Sequence, residues 1–226
     1  MTIAQPRGFA AGLLRALALA AVGAAMRPAS AAAQAPAGGA YRYSDADRGF
    51  MAGMIVHHAQ AILMAGWAPT HGASPVVREL CERIGISQRD EIAAMTRWLR
   101  ERGLAVPDAD TSASRRLSGM DAGMAGMSPA MPGMEGQTMM PGMLTGAQLQ
   151  QLDSARGPAF DRLFLADMIQ HHQGALTMVA QLMNQPGAGE SGLVFQFATD
   201  VNADQTAEID RMNRMLAALP PAQRSP

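Results

Sequence analysis

Two pairs of adjacent histidines, His57-His58 and His171-His172, take up four of the five histidines in this chain, and Met54 and Met168 stand three residues before them. At helical spacing that puts one thioether a turn away from two imidazoles. Thioethers are soft, neutral ligands that favour Cu(I) and Ag(I) and serve Zn, Mg or Ca poorly, while imidazole adds affinity for Cu(II). The pattern therefore reads as two soft-metal sites, with copper the expected ion and Ag(I) a second. Met64 and Met178, seven residues beyond His57 and His171, are further candidate ligands.

The two sites read as copies. Residues 50 to 64 are FMAGMIVHHAQAILM and residues 164 to 178 are FLADMIQHHQGALTM, so Phe50, Met54, Ile55, His57, His58, Ala61 and Met64 recur at an offset of 114. Gln88-x-x-Glu91-Ile92-x-x-Met95 recurs as Gln205-x-x-Glu208-Ile209-x-x-Met212 at an offset of 117. The difference falls between the motifs, where a loop absorbs it. One histidine pair alone reads equally well as a polar seam that sets helix register; matched repetition favours site chemistry.

Phe50, Met54, His57, Ala61 and Met64 follow one another at steps of four and three, which predicts a single stripe facing a bundle interior. On the partner helix Val77, Cys81, Ile84, Gln88, Glu91, Met95 and Trp98 share that rhythm, so two polar residues interrupt an apolar stripe. A buried carboxylate without a partner is costly. Glu91 and Glu208 are therefore expected to accept hydrogen bonds from histidine ring N–H groups and orient the rings, with Gln88 and Gln205 in the same supporting role; direct ligation by the carboxylates is the alternative. His71 has no counterpart in the second copy and is expected to be a solvated loop residue, a peripheral ligand at most. Cys81, the only cysteine, is expected to pack in the core.

Between the copies, eight of the 19 methionines fall within residues 118 to 143: Met120, Met124, Met127, Met131, Met134, Met139, Met140 and Met143. Such a Gly/Pro-rich segment builds no core, so apolar filling explains them poorly. They read as weaker soft-metal ligands on a segment expected to be disordered by itself.

Helix signals surround each motif. Ser44 with Asp47 resembles a capping box, and the first helix should run to about Gly66; Ser74-Pro75 starts the second, which reaches Arg102 and ends at Gly103. Gly157-Pro158 opens a third long helix reaching about Asn184, and Ser191 opens a fourth that ends before Pro220, with a short extra helix at about 146 to 155. The expected fold is all-α, a ferritin-like four-helix bundle made of two duplicated hairpins, 44–104 and 145–220, joined by the linker 105–144 into one domain. Composition agrees: hydrophobic residues reach 48% with only 4% aromatic, a balance suited to close helix packing. A net charge of -1 excludes a basic nucleic-acid footprint. Arg7 and Arg15, the apolar run 16–25 and small residues to Ala33 form a signal-peptide pattern over 1–33; the run is about half the ~20 residues a membrane helix needs, so an uncleaved anchor is the weaker reading.

Both copies resemble the exported bacterial family called domain of unknown function 305, whose signature is Phe-x-x-x-Met-Ile-x-His-His followed by a Gln-x-x-Glu-Ile helix ending in Trp-Leu. The resemblance covers about 44–102 and 158–216. It implies a ferritin-like bundle and an association with periplasmic copper handling, carried onto Met54, His57, His58, Met168, His171 and His172. Met215-Leu216 stands where the first copy has Trp98-Leu99, and Asp167 where it has Gly53.

These readings converge on an exported copper-binding protein, not an enzyme, that sequesters Cu(I) or Cu(II) or hands it to another periplasmic carrier or exporter, without nucleic acid and without stable membrane insertion. Two alternatives are open. A ferritin-like di-metal oxidase needs Glu-x-x-His motifs, and here the position three before His57 and His171 is Met. A bis-histidine haem bundle needs one ligand from each of two facing helices and leaves the linker unexplained.

Overall fold

Local capping decides where each helix starts. The Asp47 N–H donates to Ser44 Oγ at 3.0 Å and the Ser44 N–H donates to Asp47 Oδ2 at 2.9 Å, a reciprocal capping box that opens α1 (Asp45–Ala65). Ser74, whose hydroxyl accepts from the Val77 N–H, and Pro75 open α2 (Pro75–Glu101). Thr145 and Gln148 form a second capping box at α3 (Gly146–Ser154). Gly157, at φ 56, turns the chain into Pro158 at the head of α4 (Pro158–Met183), and Ser191 precedes α5 (Gly192–Ala218). The computed structural model describes residues 43–108, 140–189 and 191–220, and among these every regular element is a helix. The protein is all-α. The segment 1–33 and linker methionines Met120, Met124, Met127, Met131, Met134 and Met139 lie outside the described residues.

α1 packs on α2 and α4 on α5, the two hairpins meet through α1 and α4, and α3 lies against both of these central helices. Two apolar clusters fill the interior. One joins Phe50, Met54 and Met95 to Ala175, Met178 and Val194; the other joins Ala61, Met64 and Leu80 to Phe160, Phe164, Met168 and Met212. The first half of α1 thus meets the second half of α4 and the reverse, so the two central helices cross antiparallel with the histidines between the clusters. This corrects the single-stripe expectation. α1 buries Met51, Ile55, Ala59 and Gln60 as well as the predicted row, because α2, α4 and α3 with the chain preceding it cover it on several sides.

Two carboxylates lock the hairpins together. Asp47, fully buried, accepts the Gly189 N–H on Oδ1 at 2.8 Å; Asp161, its counterpart 114 residues on, accepts the Ser74 N–H on both oxygens at 3.1 and 3.2 Å. Each ties the start of its own central helix to the interhelical loop of the other hairpin. In the sequence Asp47 reads as a cap only and Asp161 carries no expectation; Asp-Arg-x-Phe occurs at both places, and the structure gives both carboxylates the same task.

His71 is also not what its loop position predicts. It is buried, its Nε2–H donates to the Asp153 carbonyl at 2.8 Å and lies 3.0 Å from Asp153 Oδ1, and its own carbonyl accepts the Gly157 N–H at 2.8 Å. With Thr70 Oγ 2.9 Å from Nδ1, both ring nitrogens are engaged. The residue fastens the α1–α2 loop to the end of α3 instead of facing solvent, since α3 folds over a loop that has no periodicity of its own.

Candidate metal centre

Where α1 and α4 cross, four imidazoles follow one another. Ring centroids of His58 and His57 are 6.4 Å apart, those of His57 and His171 3.9 Å, and those of His171 and His172 6.2 Å. All four side chains are fully buried.

The acceptors around them fix the tautomers. His57 Nε2 lies 3.0 Å from the Pro141 carbonyl and His171 Nε2 lies 3.0 Å from the His57 carbonyl, so both nitrogens carry the proton and donate it. His58 Nε2 meets Glu91 Oε2, and His172 Nε2 meets Glu208 Oε2 at 2.6 Å. Every Nε2 thus faces an oxygen acceptor. The four Nδ1 atoms, which keep the lone pairs in the neutral Nε2–H tautomer, are buried and have no hydrogen-bond partner among the described residues. Hydrogen-bonding one ring nitrogen to orient the other is the arrangement metal-ligating histidines use.

Electrostatics keep the inner pair neutral. Burial, then the nearby His58, holds His57 down at about 3, against the contrary pull of the Pro141 carbonyl. His171 is held well below the ordinary imidazole value by burial first and by His57 next. Both imidazoles remain neutral at physiological pH. Burial pushes the Cys81 thiol up to about 12, so it stays protonated and packs as the sequence suggests.

The methionines regroup across helices. Met54 shares one cluster with Met178 and Met95, while Met168 shares the other with Met64 and Met212. Seven residues along a helix is about 10 Å of rise, so Met64 and Met178 lie two turns from the histidines of their own helix; the antiparallel crossing puts each in the cluster of the other copy's motif methionine. Gln88 and Gln205 are buried, but neither makes a hydrogen bond to a histidine, and Gln88 Oε1 and both Gln205 amide atoms are left unpartnered among the described residues. Of the linker methionines only Met140 and Met143 are described. Among the described residues no three His, Cys, Asp or Glu side chains converge as a chelating group, and thioether sulfur is a further soft donor type in both adjoining clusters.

One feature of the site has no sequence signal at all. Residues 140–145 run along the groove between α1 and α4. Pro141 caps His57, and Gln60 grips Leu144 with both ends of its amide, accepting its N–H at 2.8 Å and donating to its carbonyl at 3.1 Å. Gly142, at φ 73, seats on α4 where Gly174 leaves room: a Cβ on Gly174 would overlap the Pro141 carbonyl and Gly142 Cα. Gln60 and Gly174 occupy the same place in the two copies. They differ because this strap grips one and lies on the other.

The family described as domain of unknown function (DUF305) matches residues 47–216. Among solved structures, a DUF305 protein of Streptomyces coelicolor, whose description classes it with secreted proteins, is 27% identical and covers 76% of this chain and 92% of its own at a TM-score of 0.57. CopM in its Cu(II)-bound form is 28% identical, covering 76% of this chain and 95% of that one at a TM-score of 0.53. Uncharacterized protein L153 of Acanthamoeba polyphaga mimivirus is 40% identical over 58 residues, which is 26% of this chain and 38% of that protein. The present chain thus matches well under half of that relative's length.

Proposed function

This chain belongs to the DUF305 family, and we propose that it binds copper at the crossing of α1 and α4, sequestering the ion or passing it on outside the cytoplasm. The observation that carries this reading is the set of four buried Nδ1 atoms without partners, each on a ring whose Nε2 is held by an oxygen. A buried lone pair left unpaired costs stability, and ions that accept electron pairs would relieve that cost for Nδ1 atoms that have no partner among the described residues. The sulfur content of both adjoining clusters favours a soft ion, so Cu(I) and Ag(I) are expected to bind more tightly than Zn(II). Met54 and Met168 are the nearest thioethers in sequence, and Glu91 and Glu208 orient His58 and His172. The likeness to CopM, which binds Cu(II) in the solved form, supports the choice of metal. No described helix is long and apolar enough to cross a membrane, and the secreted description of the Streptomyces relative supports export by the segment 1–33.

The alternatives fit less well. A haem needs a slot between its axial imidazoles, whereas the His57 and His171 rings are 3.9 Å apart and their Nε2 atoms already donate to carbonyls. An oxidase of the di-metal type needs several inward carboxylates, and the two beside the histidines, Glu91 and Glu208, are each taken up by an imidazole.

The double variant His57→Gln, His171→Gln tests the proposal. Glutamine retains an amide N–H able to reach the Pro141 and His57 carbonyls but presents no imidazole Nδ1. Competition titrations should show the tightest Cu(I) equivalents lost while the helical circular dichroism is unchanged. Wild-type affinity and stoichiometry in a folded variant would defeat the reading.

A further inference from the structure

The pole of the histidine crossing that contains Met54 holds a feature absent from the other. Gly53 leaves a notch on α1 one turn before His57, and into that notch reach two side chains from different parts of the chain. A point one Cβ bond from Gly53 lies 3.4 Å from Met178 Cε and 3.6 Å from Met140 Sδ. Met140 is half-buried and packs against the cluster of Met51, Met54, Met95 and Met178, all of which are buried. Among the described methionines of this cluster it is therefore the one most open to solvent. In the second copy Asp167 stands where Gly53 stands in the first, so the corresponding position carries a carboxyl in place of an open notch. The strap that presents Met140 is fixed within a few residues by the Pro141–His57 and Leu144–Gln60 bonds and by the close seat of Gly142 on Gly174.

We propose that Met140 is the port ligand for a soft monovalent cation at this pole: it takes the ion at the surface and, with Met178 across the Gly53 notch, passes it by ligand exchange toward Met54 and the histidines. This rests on the copper-binding reading and adds that the two histidine pairs are unequal: at the first a half-buried thioether lies across a glycine notch from Met178, whereas at the second the half-buried Met215 packs on the Met64, Met168 and Met212 cluster and Asp167 stands at the notch position. Ligand exchange among neutral thioethers needs no proton and no redox partner. Each Met–metal bond is replaced by the next, and the ion keeps its charge throughout.

The experiment uses the full mature chain, with 13C-methyl methionine and 15N-histidine spectra recorded through an Ag(I) titration. The Met140 and Met178 methyls should shift together within the first equivalent, in step with the His57 ring. Met140→Leu keeps the volume without the sulfur and should weaken or slow that equivalent roughly ten-fold or more, the scale of losing one supporting group at a metal site. Gly174→Ala displaces the strap by overlap with Pro141 and should reproduce the loss with helical content unchanged. If His57 shifts while Met140 and Met178 stay still, or if Met140→Leu and Gly174→Ala bind Ag(I) as the wild type does, the port is wrong and the histidine site survives. If neither histidine nor methionine signals respond, the copper reading fails with it.

Discussion

Acid should unfold the metal-free protein through the same histidines that are proposed to hold the ion. His57 titrates near 3 in the folded chain against 6.5 when exposed, so between those values the unfolded state binds the extra proton. A depressed histidine gives stability that is complete above about 6.5 and is lost as pH falls toward the folded value. Each pH unit in that window costs about 1.4 kcal/mol per proton, so lowering pH to about 4.5 removes roughly 2.7 kcal/mol through His57. His171, also depressed, adds a loss of the same sign. Asp167 works the other way, because burial raises it to about 6 and its folded form takes up a proton first; at about pH 4.5 this returns on the order of 1 kcal/mol once its partial exposure is discounted. Asp204, raised by burial and then by Glu91 and Glu208, has the same sign as Asp167. The balance is a net loss of about 2 kcal/mol or more. Urea unfolding of chelator-treated protein at about pH 7 and 4.5, followed by circular dichroism, measures it, and the His57→Gln, His171→Gln variant isolates the imidazole share. A wild-type loss below about 1 kcal/mol, or an equal loss in the variant, would refute the claim that these rings are buried neutral.

Asp161→Ala should lower stability by about 1.5–3 kcal/mol, since the Ser74 N–H at the head of α2 loses its charged, buried acceptor. Asp47→Ala should lose at least as much because its carboxylate serves both Ser44 and Gly189; urea midpoints near wild type for both would show that these carboxylates do not join the hairpins. Deleting residues 118–139 should reduce the number of weaker Cu(I) equivalents while sparing the fold and the tight sites. Extending the deletion through Met143 should also lower the melting temperature, because Pro141 and Gly142 are then lost from the α1–α4 groove. Identical melting of the two deletions would remove the structural role assigned to the strap.

Much of this molecule was written in local spacing. The caps at Ser44 and Ser74 and the steps of three and four around His57 and His171 depend on neighbours within a turn or two of helix, and the helices begin and end close to where those signals stand. The duplicated motif likewise singles out the four histidines from sequence spacing alone. Periodicity within a helix cannot say which side chains of another helix arrive at the same place. Only the antiparallel crossing of α1 and α4 put Met178 in the cluster of Met54 and Met64 in that of Met168, brought His57 and His171 within ring contact, and used up each Nε2 so that Nδ1 is the nitrogen without a partner among the described residues. The strap was further from reach. Its hold on His57 is a backbone carbonyl, which every residue possesses, and its seat depends on a missing Cβ at Gly174; neither leaves a pattern in the order of residues, because both follow from two distant segments packing against each other.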